Sequence, residues 1–379
     1  MRHDVIVIGL GGMGSAAACH LAARGRRVLG IEQFSPAHGH GSSHGRSRII
    51  RQAYMEHPAY VPLLQRAFTL WHELAAASDE DLLHMTGGIM IGQPGSRVVE
   101  GTLASVREHG LPHEILDAAE IRARHPALTP EDGIIGVAER NAGYVVPEAA
   151  TRAHLRLAAD HGAELRFGET VRHWEPCGSG VRVRTDRGEH LADRLVIAAG
   201  PWAPELLAGL GLPLRVERRV LVWFEPVGGD APFREPAFPI YIWDCGDSGS
   251  FYGFPKQAGT PGVKVAIHAA GAGRDEACTP SSIDRDLRDS DVAALRGLLA
   301  SRIPALSGPV VHFDTCLYTI TPDEHFVIAV HPDHPQIVLA SPCSGHGFKF
   351  VPVVGEILAD LAIDGRTRHD IRLFAFRRA

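Results

Sequence analysis

The chain lacks most of the features that assign a protein to a specialised class. It has no excess of basic residues: 38 Lys and Arg against 44 Asp and Glu give a formal net charge of -6. That disfavours a nucleic-acid partner, which needs cations to displace counterions from phosphates. The six cysteines, at 19, 177, 245, 278, 316 and 343, show no C-x-x-C and no paired spacing of the zinc-binding kind. They read as separate thiols in a reducing, cytoplasmic compartment, and no metal site is expected. No stretch reads as a membrane span. The nearly uncharged run from Val5 to Ala23, with Ala16-Ala17-Ala18-Cys19, hints at a lipoprotein leader, but Asp4 and the glycines at 9, 11, 12 and 14 break the signal-peptide pattern. There is no internal repeat and no low-complexity linker. What is left, at 379 residues, 45% apolar and 22% charged, is an ordinary globular protein of one large or two intergrown domains.

The N-terminal run has a better explanation. Asp4-Val-Ile-Val-Ile-Gly9 is a β-branched strand that enters Gly9-Leu-Gly-Gly-Met-Gly14 before a helix containing Ala16, Ala17, Ala18, Leu21 and Ala22. Val28 to Ile31 then forms a second strand with Glu32 at its tip. This is β-α-β with the dinucleotide fingerprint. Gly9 permits the tight turn, Gly11 lets the backbone approach a pyrophosphate, and Gly14 lets helix and strand pack closely. The helix N-terminus offers N–H groups and partial positive charge to phosphates. Glu32, eighteen residues past Gly14, suits an adenosine ribose and would repel the 2′-phosphate of NADP. NAD and FAD share this fingerprint, so these residues leave the choice between them open.

Further on, Leu63, Leu64, Ala67, Phe68, Trp71 and Leu74 predict an amphipathic helix within 57–78. Pro147 starts another that Gly162 stops. Strands are expected at 163–167, 171–174, 181–185 and 194–200, β-rich segments at 219–224 and 263–267, a helical patch at 291–299, a strand at 336–341 and a last helix ending near Gly365. The stretch 86–143 reads as a punctuated mixed region. The chain thus leaves the nucleotide fold and returns to it, which predicts two interleaved domains.

Candidate chemistry begins at the glycine-rich segment 36–48. His38, His40 and His44 lie among too many glycines for rigid metal geometry and lack a carboxylate or thiol partner. Arg48 and Arg51 flank Ile49 and Ile50, implying a strand or turn that is at least half buried, whose guanidinium groups would need anions. Lys349 stands at the start of the last helix, where the macrodipole disfavours a cation, unless an anion is held there. Lys264 and His268, four apart in a strand, point to the face opposite Val263, Val265 and Ile267. Cys316 alone reads as a buried thiol in a short strand.

Taken together, Gly9 to Gly14, Gly41-Ser-Ser-His-Gly-Arg-Ser-Arg-Ile-Ile-Arg51, Tyr252-Gly-Phe-Pro255, Cys316-Leu-Tyr-Thr319, Ser344-Gly-His-Gly-Phe-Lys349 and Arg366-Thr-Arg-His-Asp-Ile371 give a sequence that resembles the monomeric sarcosine oxidases and N-methyltryptophan oxidases. These are flavoproteins of the D-amino acid oxidase-like superfamily. The resemblance spans the whole chain. It implies an α/β (α+β) fold, with a Rossmann-like FAD-binding domain (1–84, 144–214, 316–379) interleaved with a β-sheet-rich substrate domain (85–143, 215–315). It implies FAD, bound by Gly9, Gly11, Gly14, Glu32, Ser42, His44, Arg48, Gly345, Gly347 and Lys349, and joined to Cys316 by a thioether at the flavin 8α-methyl. Arg51 and Lys349 would grip the substrate carboxylate. Lys264 would promote the reaction of reduced flavin with oxygen through a water, and His44 and Arg48 would place positive charge over the ring. His268, Tyr318 and the Gly345 carbonyl would line the amine site. The implied reaction demethylates an N-methyl amino acid, yielding formaldehyde and hydrogen peroxide, in a monomer with no nucleic-acid or membrane partner.

Departures from the family pattern concern the substrate. Ser47 stands where threonine is usual, Pro342-Cys343 precede Ser344, and 241–246 replaces a methionine-containing stretch. Trp243 is then either core packing or a pocket wall. A cyclic imino acid or a sugar-modified amino acid would also suit the carboxylate grip, and a non-catalytic flavin-binding subunit is the reading from another class.

Overall fold

The computed structural model describes residues 2–270, 276–341 and 344–376. Pro342 and Cys343, expected to reshape one side of the pocket, lie outside the described residues.

The first strand, Arg2–Ile8, pairs in parallel with Val28–Glu32 on one side and Glu189–Ile197 on the other. Glu164–Phe167 extends the parallel set beyond Val28–Glu32, and Ile337–Ser341 pairs in parallel with the end of Glu189–Ile197. A parallel sheet must be covered on both faces, and the alternation in the first strand shows how. Val5 and Val7 join the cluster built by the helices Gly12–Ala23, Val61–Ala77, Pro147–Asp160 and Val351–Asp364, whereas Ile6 and Ile8 join the opposite cluster with Leu29, Ile31 and Leu195. The hairpin Val171–Cys177 and Gly180–Thr185 adds an antiparallel edge. The last helix ends at Gly365 in the left-handed conformation (φ +68°), the C-terminal stop that glycine permits.

A second sheet of eight strands runs in the order Val310–Ile320, Arg215–Phe224, Val263–Ala270, Gly249–Gly253, Ile240–Asp244, Gly88–Gly92, Ile135–Glu139, Glu114–Asp117. It is antiparallel except where Ile240–Asp244 meets Gly88–Gly92. One face packs under the helix Asp289–Arg302 through Leu295, Leu298 and Leu299, with Val263 and Val265 beneath it. Lys264, Ala266 and His268 take the other face, as alternation requires. The same rule places Trp243: it is buried in the helix-covered core, stacked on Phe251 at 5.9 Å, so it is packing, and its neighbour Ile242 faces the site.

Two expectations need correction. The mixed region contains a full helix, Arg97–His109, capped by Gly110 at φ +61°. Cys316 sits not in a short strand but in the eleven-residue Val310–Ile320. The division expected between residues 315 and 316 falls inside that strand, and we propose to divide the two units after Ile320.

Candidate active site

The carboxyl ends of the parallel strands open on a cavity of about 420 Å³, the position where doubly wound sheets take ligands. Gly9 and Gly11 line it. An ideal Cβ at Gly9 would stand 2.7 Å from Ala198 O, and one at Gly14 only 1.7 Å from Gly9 O, so the turn and the helix crossing both require glycine. At Gly11 the nearest atom would be Ser43 Oγ at 3.5 Å, which leaves the backbone facing open space. The helix beginning there has no side-chain cap at Gly11, and the Gly12 N–H is met by Ser43 Oγ at 3.1 Å. Glu32 accepts from Leu10 N (2.9 Å) and Phe34 N (3.1 Å) and lies 3.3 Å from His38 Nε2. Burial pushes its carboxyl up, but the His38 and N–H contacts outweigh that and hold it below the ordinary value. A charged acceptor is thereby fixed at the cavity wall.

The glycine-rich segment crosses to the second sheet. Val310–Ile320 is an edge strand, and its outward carbonyls are taken one after another: His44 Nε2 donates to Thr315 O (3.2 Å), Ser42 Oγ to Leu317 O (2.6 Å) and Ser344 N to Thr319 O (2.6 Å). Between the first two lies Cys316, buried, with its Sγ 3.4 Å from Arg48 Nη2. Arg48 also donates to Ser42 O and Ser47 O. Lys264 Nζ reaches Gly45 O (2.7 Å), Ser47 O (2.8 Å) and Ser47 Oγ (3.2 Å). Burial first, and the Arg48 charge second, push Lys264 well below its usual range. His44 is depressed to about 3 by the same two causes. It is therefore neutral near pH 7, and the positive charge expected from His44 and Arg48 together belongs to Arg48 alone.

A second, smaller cavity of about 40 Å³ shares Arg48, Tyr318, Gly345 and Phe348 with the first. Its far side carries two buried cations. Arg51 donates to Ala53 O (2.7 Å) and pairs with both oxygens of Glu56 (2.8 and 3.1 Å). Lys349 Nζ donates to His346 O (2.8 Å). The Tyr54 ring lies between the two cations, 4.4 Å from the Arg51 guanidinium and 5.2 Å from Lys349 Nζ, and its hydroxyl meets His346 Nδ1 at 2.5 Å. Burial, with Arg51 adding, brings Lys349 down to about 7 against the pull of Glu56. Burial pushes Glu56 up, but Arg51 dominates and holds it far below the carboxylate range. His268 lines the same cavity and is lowered to about 3, chiefly by burial. Gly345 is at φ +78°, and a Cβ there would stand 2.1 Å from the Tyr318 ring, so loop and strand interlock only with glycine.

Of the expected residues, Gly9, Gly11, Glu32, Ser42, Arg48, Tyr318, Gly345 and Gly347 line the larger cavity, and Arg48, Arg51, His268, Tyr318, Gly345 and Lys349 the smaller. Lys349, also expected to bind the cofactor, touches only the smaller one. Gly14, His44, Lys264 and Cys316 stand behind the walls. Among the described residues no group of three or more ligating side chains converges. Sequence reasoning missed Ser43, Tyr54, Glu56, Glu148, Ile242 and His346. Two of these, Ser43 and His346, lay inside motifs already singled out.

A dinucleotide cradle has use for a second cavity opening onto it when something is oxidised or reduced there, so fold and site define the class of dinucleotide-dependent oxidoreductases. The chain belongs to the FAD dependent oxidoreductase family, whose model matches residues 4–361. It is 51% identical to a monomeric sarcosine oxidase of Streptomyces avermitilis, covering 99% of this chain and 97% of that protein. An N-methyl-L-tryptophan oxidase of Salmonella enteritidis is 33% identical over 100% of this chain and 99% of its own. Among solved structures, the open form of NikD, described as an unusual amino acid oxidase essential for nikkomycin biosynthesis, superposes with a TM-score of 0.84 at 27% identity, covering 99% and 97%. The dinucleotide is accordingly FAD, and the Gly11 and Gly12 backbone at the cavity wall and the fixed Glu32 carboxylate fit it.

Proposed function

We propose that the protein oxidatively demethylates sarcosine or a closely related N-methyl amino acid: amine, oxygen and water give the demethylated amino acid, formaldehyde and hydrogen peroxide. The observation that carries this reading is the pair of buried cations, Arg51 and Lys349, across a small cavity from Arg48 and Tyr318, which it shares with the FAD cradle. FAD, when bound, would supply the two-electron oxidation at the N-methyl carbon, with oxygen as the final acceptor. The chain's residues do the rest. Arg51 and Lys349 hold the carboxylate, which competes with Glu56 for the guanidinium, and the amine end is thereby aimed at the shared wall. His268, neutral near pH 7, can accept a hydrogen bond from the amine. Arg48 supplies the positive charge next to Cys316, the thiol we assign to the 8α thioether. Lys264 acts on oxygen chemistry through its field, with its Nζ directed to the Gly45–Ser47 turn.

The size of the smaller cavity, with Ile49, Ile242 and Tyr252 as walls, favours a substrate with little or no side chain over an indole-bearing one. By resemblance the enzyme works as a monomer. The described cysteines are unpaired, which suits a reducing cytoplasm, and no helix among the described residues is long and apolar enough to cross a membrane. Peroxide release should be fastest with sarcosine and much slower with N-methyltryptophan. Absence of peroxide with every N-methyl amino acid would refute the reading. Acid-precipitated wild type should stay yellow, and Cys316→Ala should lose its colour to the supernatant.

A further inference from the structure

The turn that presents Arg48 is gripped from two sides. Gly45 and Arg46 are both at positive φ, +96° and +66°, in a turn whose two successive N–H groups converge on one carboxylate oxygen. Glu148, in the first turn of the helix Pro147–Asp160, is that anion: its Oε1 accepts from Gly45 N at 2.7 Å and from Arg46 N at 3.1 Å. On the carbonyl side Lys264 Nζ holds Gly45 O, Ser47 O and Ser47 Oγ. The turn packs closely on the second sheet, since a Cβ at Gly45 would lie 2.4 Å from Leu221 Cδ1. Lys264 and Arg48 form no direct ion pair among the described residues. Glu148 Oε2 is buried, so both carboxylate oxygens are turned into the protein. Facing Lys264 are Arg48, which disfavours its charge, and Glu148, Cys316 and Asp314, which favour it, Glu148 the most strongly of these.

We propose that Glu148 is a positioning residue for the flavin reaction: through the Gly45–Ser47 turn it fixes Arg48 and Lys264 and supplies the buried negative charge that balances them. This rests on the flavin reading above and adds a residue that touches neither cavity.

The test uses Glu148→Gln, which keeps an acceptor oxygen but removes the charge, Glu148→Ala, which removes both, and Glu148→Asp. The first readout needs no flavin. Amide hydrogen exchange of the peptide containing Gly45 and Arg46, compared in a Cys316→Ala background whose FAD is non-covalent and has been removed, should quicken by about tenfold or more with Glu148→Ala and little with Glu148→Gln. Unchanged exchange in Glu148→Ala would overturn the positioning role whatever the cofactor does. The second readout is stopped-flow of the loaded enzyme. In Glu148→Gln, reoxidation by oxygen at pH 8 should slow about tenfold or more while anaerobic reduction by sarcosine changes far less, and Asp should restore reoxidation. Equal slowing of both half-reactions, or reoxidation at the wild-type rate, would overturn the electrostatic role. If no sarcosine reduces the wild type, the functional reading fails and the exchange result still decides the positioning claim.

Discussion

Glu56 places a carboxylate of the chain itself on the Arg51 guanidinium that we propose receives the substrate. A buried ion pair is costly to break on one side, so a ligand carboxylate must replace what Glu56 provides. Glu56→Gln should weaken that competition and tighten binding of a plain carboxylate such as acetate, measured by perturbation of the flavin spectrum. The same titration tests Lys349. With its value near 7, it is charged below that pH and neutral above, so acetate affinity should fall by roughly tenfold as pH rises through about 7, the size of a lost charge-assisted contact. Lys349→Met should abolish the step. Glu139 offers a stability test. Burial raises its carboxyl to about 7, against the lowering effect of the Ala53 and Gln52 N–H groups and of Arg51. The folded state therefore holds its proton more tightly than the unfolded chain. Its contribution is full below the unfolded value near 4.5 and is lost as pH climbs to about 7, by on the order of 1–3 kcal/mol. Glu139→Gln should lose less stability than wild type between pH 4.5 and 7, read from denaturant midpoints. Arg51, Lys349 and Arg48 were legible as cations in places that call for an anion. Glu56, Glu139 and Glu148 were not, because an acid reads as solvent-facing until the fold shows which N–H groups and cations surround it. Ile242 was missed for its larger neighbour, since strand alternation fixes that the two face opposite ways but not which faces the site.

Helices and strands with a clean period were read close to their true bounds: Gly12–Ala23, Val61–Ala77 and Pro147–Asp160 each carried an apolar stripe, a proline start or a glycine-rich entry. Arg97–His109 was hidden by Gly101, Thr102 and Ser105, which interrupt its apolar face. The structure gives the reason for two of them: Ser105 Oγ donates to Tyr54 O at 2.5 Å, and a Cβ at Gly101 would stand 2.1 Å from Met55 O, while Thr102 Oγ1 is satisfied within the helix by Val98 O. This helix is the bed on which the segment carrying Tyr54 and Glu56 lies, so its sequence answers to a neighbouring backbone more than to a core. Gly101→Ala should cost about 1–3 kcal/mol by overpacking. It should also raise KM for sarcosine more than it lowers kcat, because the displaced segment positions the carboxylate grip and not the flavin cradle. An unchanged KM would count against that link.

At the scale of the molecule, the two-sheet plan was visible in the chain's departure from α/β patterning after residue 214 and its return near 336. What sequence could not show is that the cofactor loops of one sheet are sewn to the margin of the other. In Cys316→Ala, where FAD would be held without a covalent bond, added FAD should raise the unfolding temperature by linkage, with the logarithm of its concentration over Kd. The margin in question is Val310–Ile320, with Thr315, Leu317 and Thr319 covered by His44, Ser42 and Ser344, and with Val311 and Phe313 exposed further along. An uncovered edge strand is a template for another chain to add to. The loops that build the flavin site therefore also cover this edge, so loosening them in the absence of cofactor should expose it to self-association. Light scattering of FAD-free Cys316→Ala protein on warming should rise earlier than that of the same variant with FAD bound, and restoring FAD should delay it.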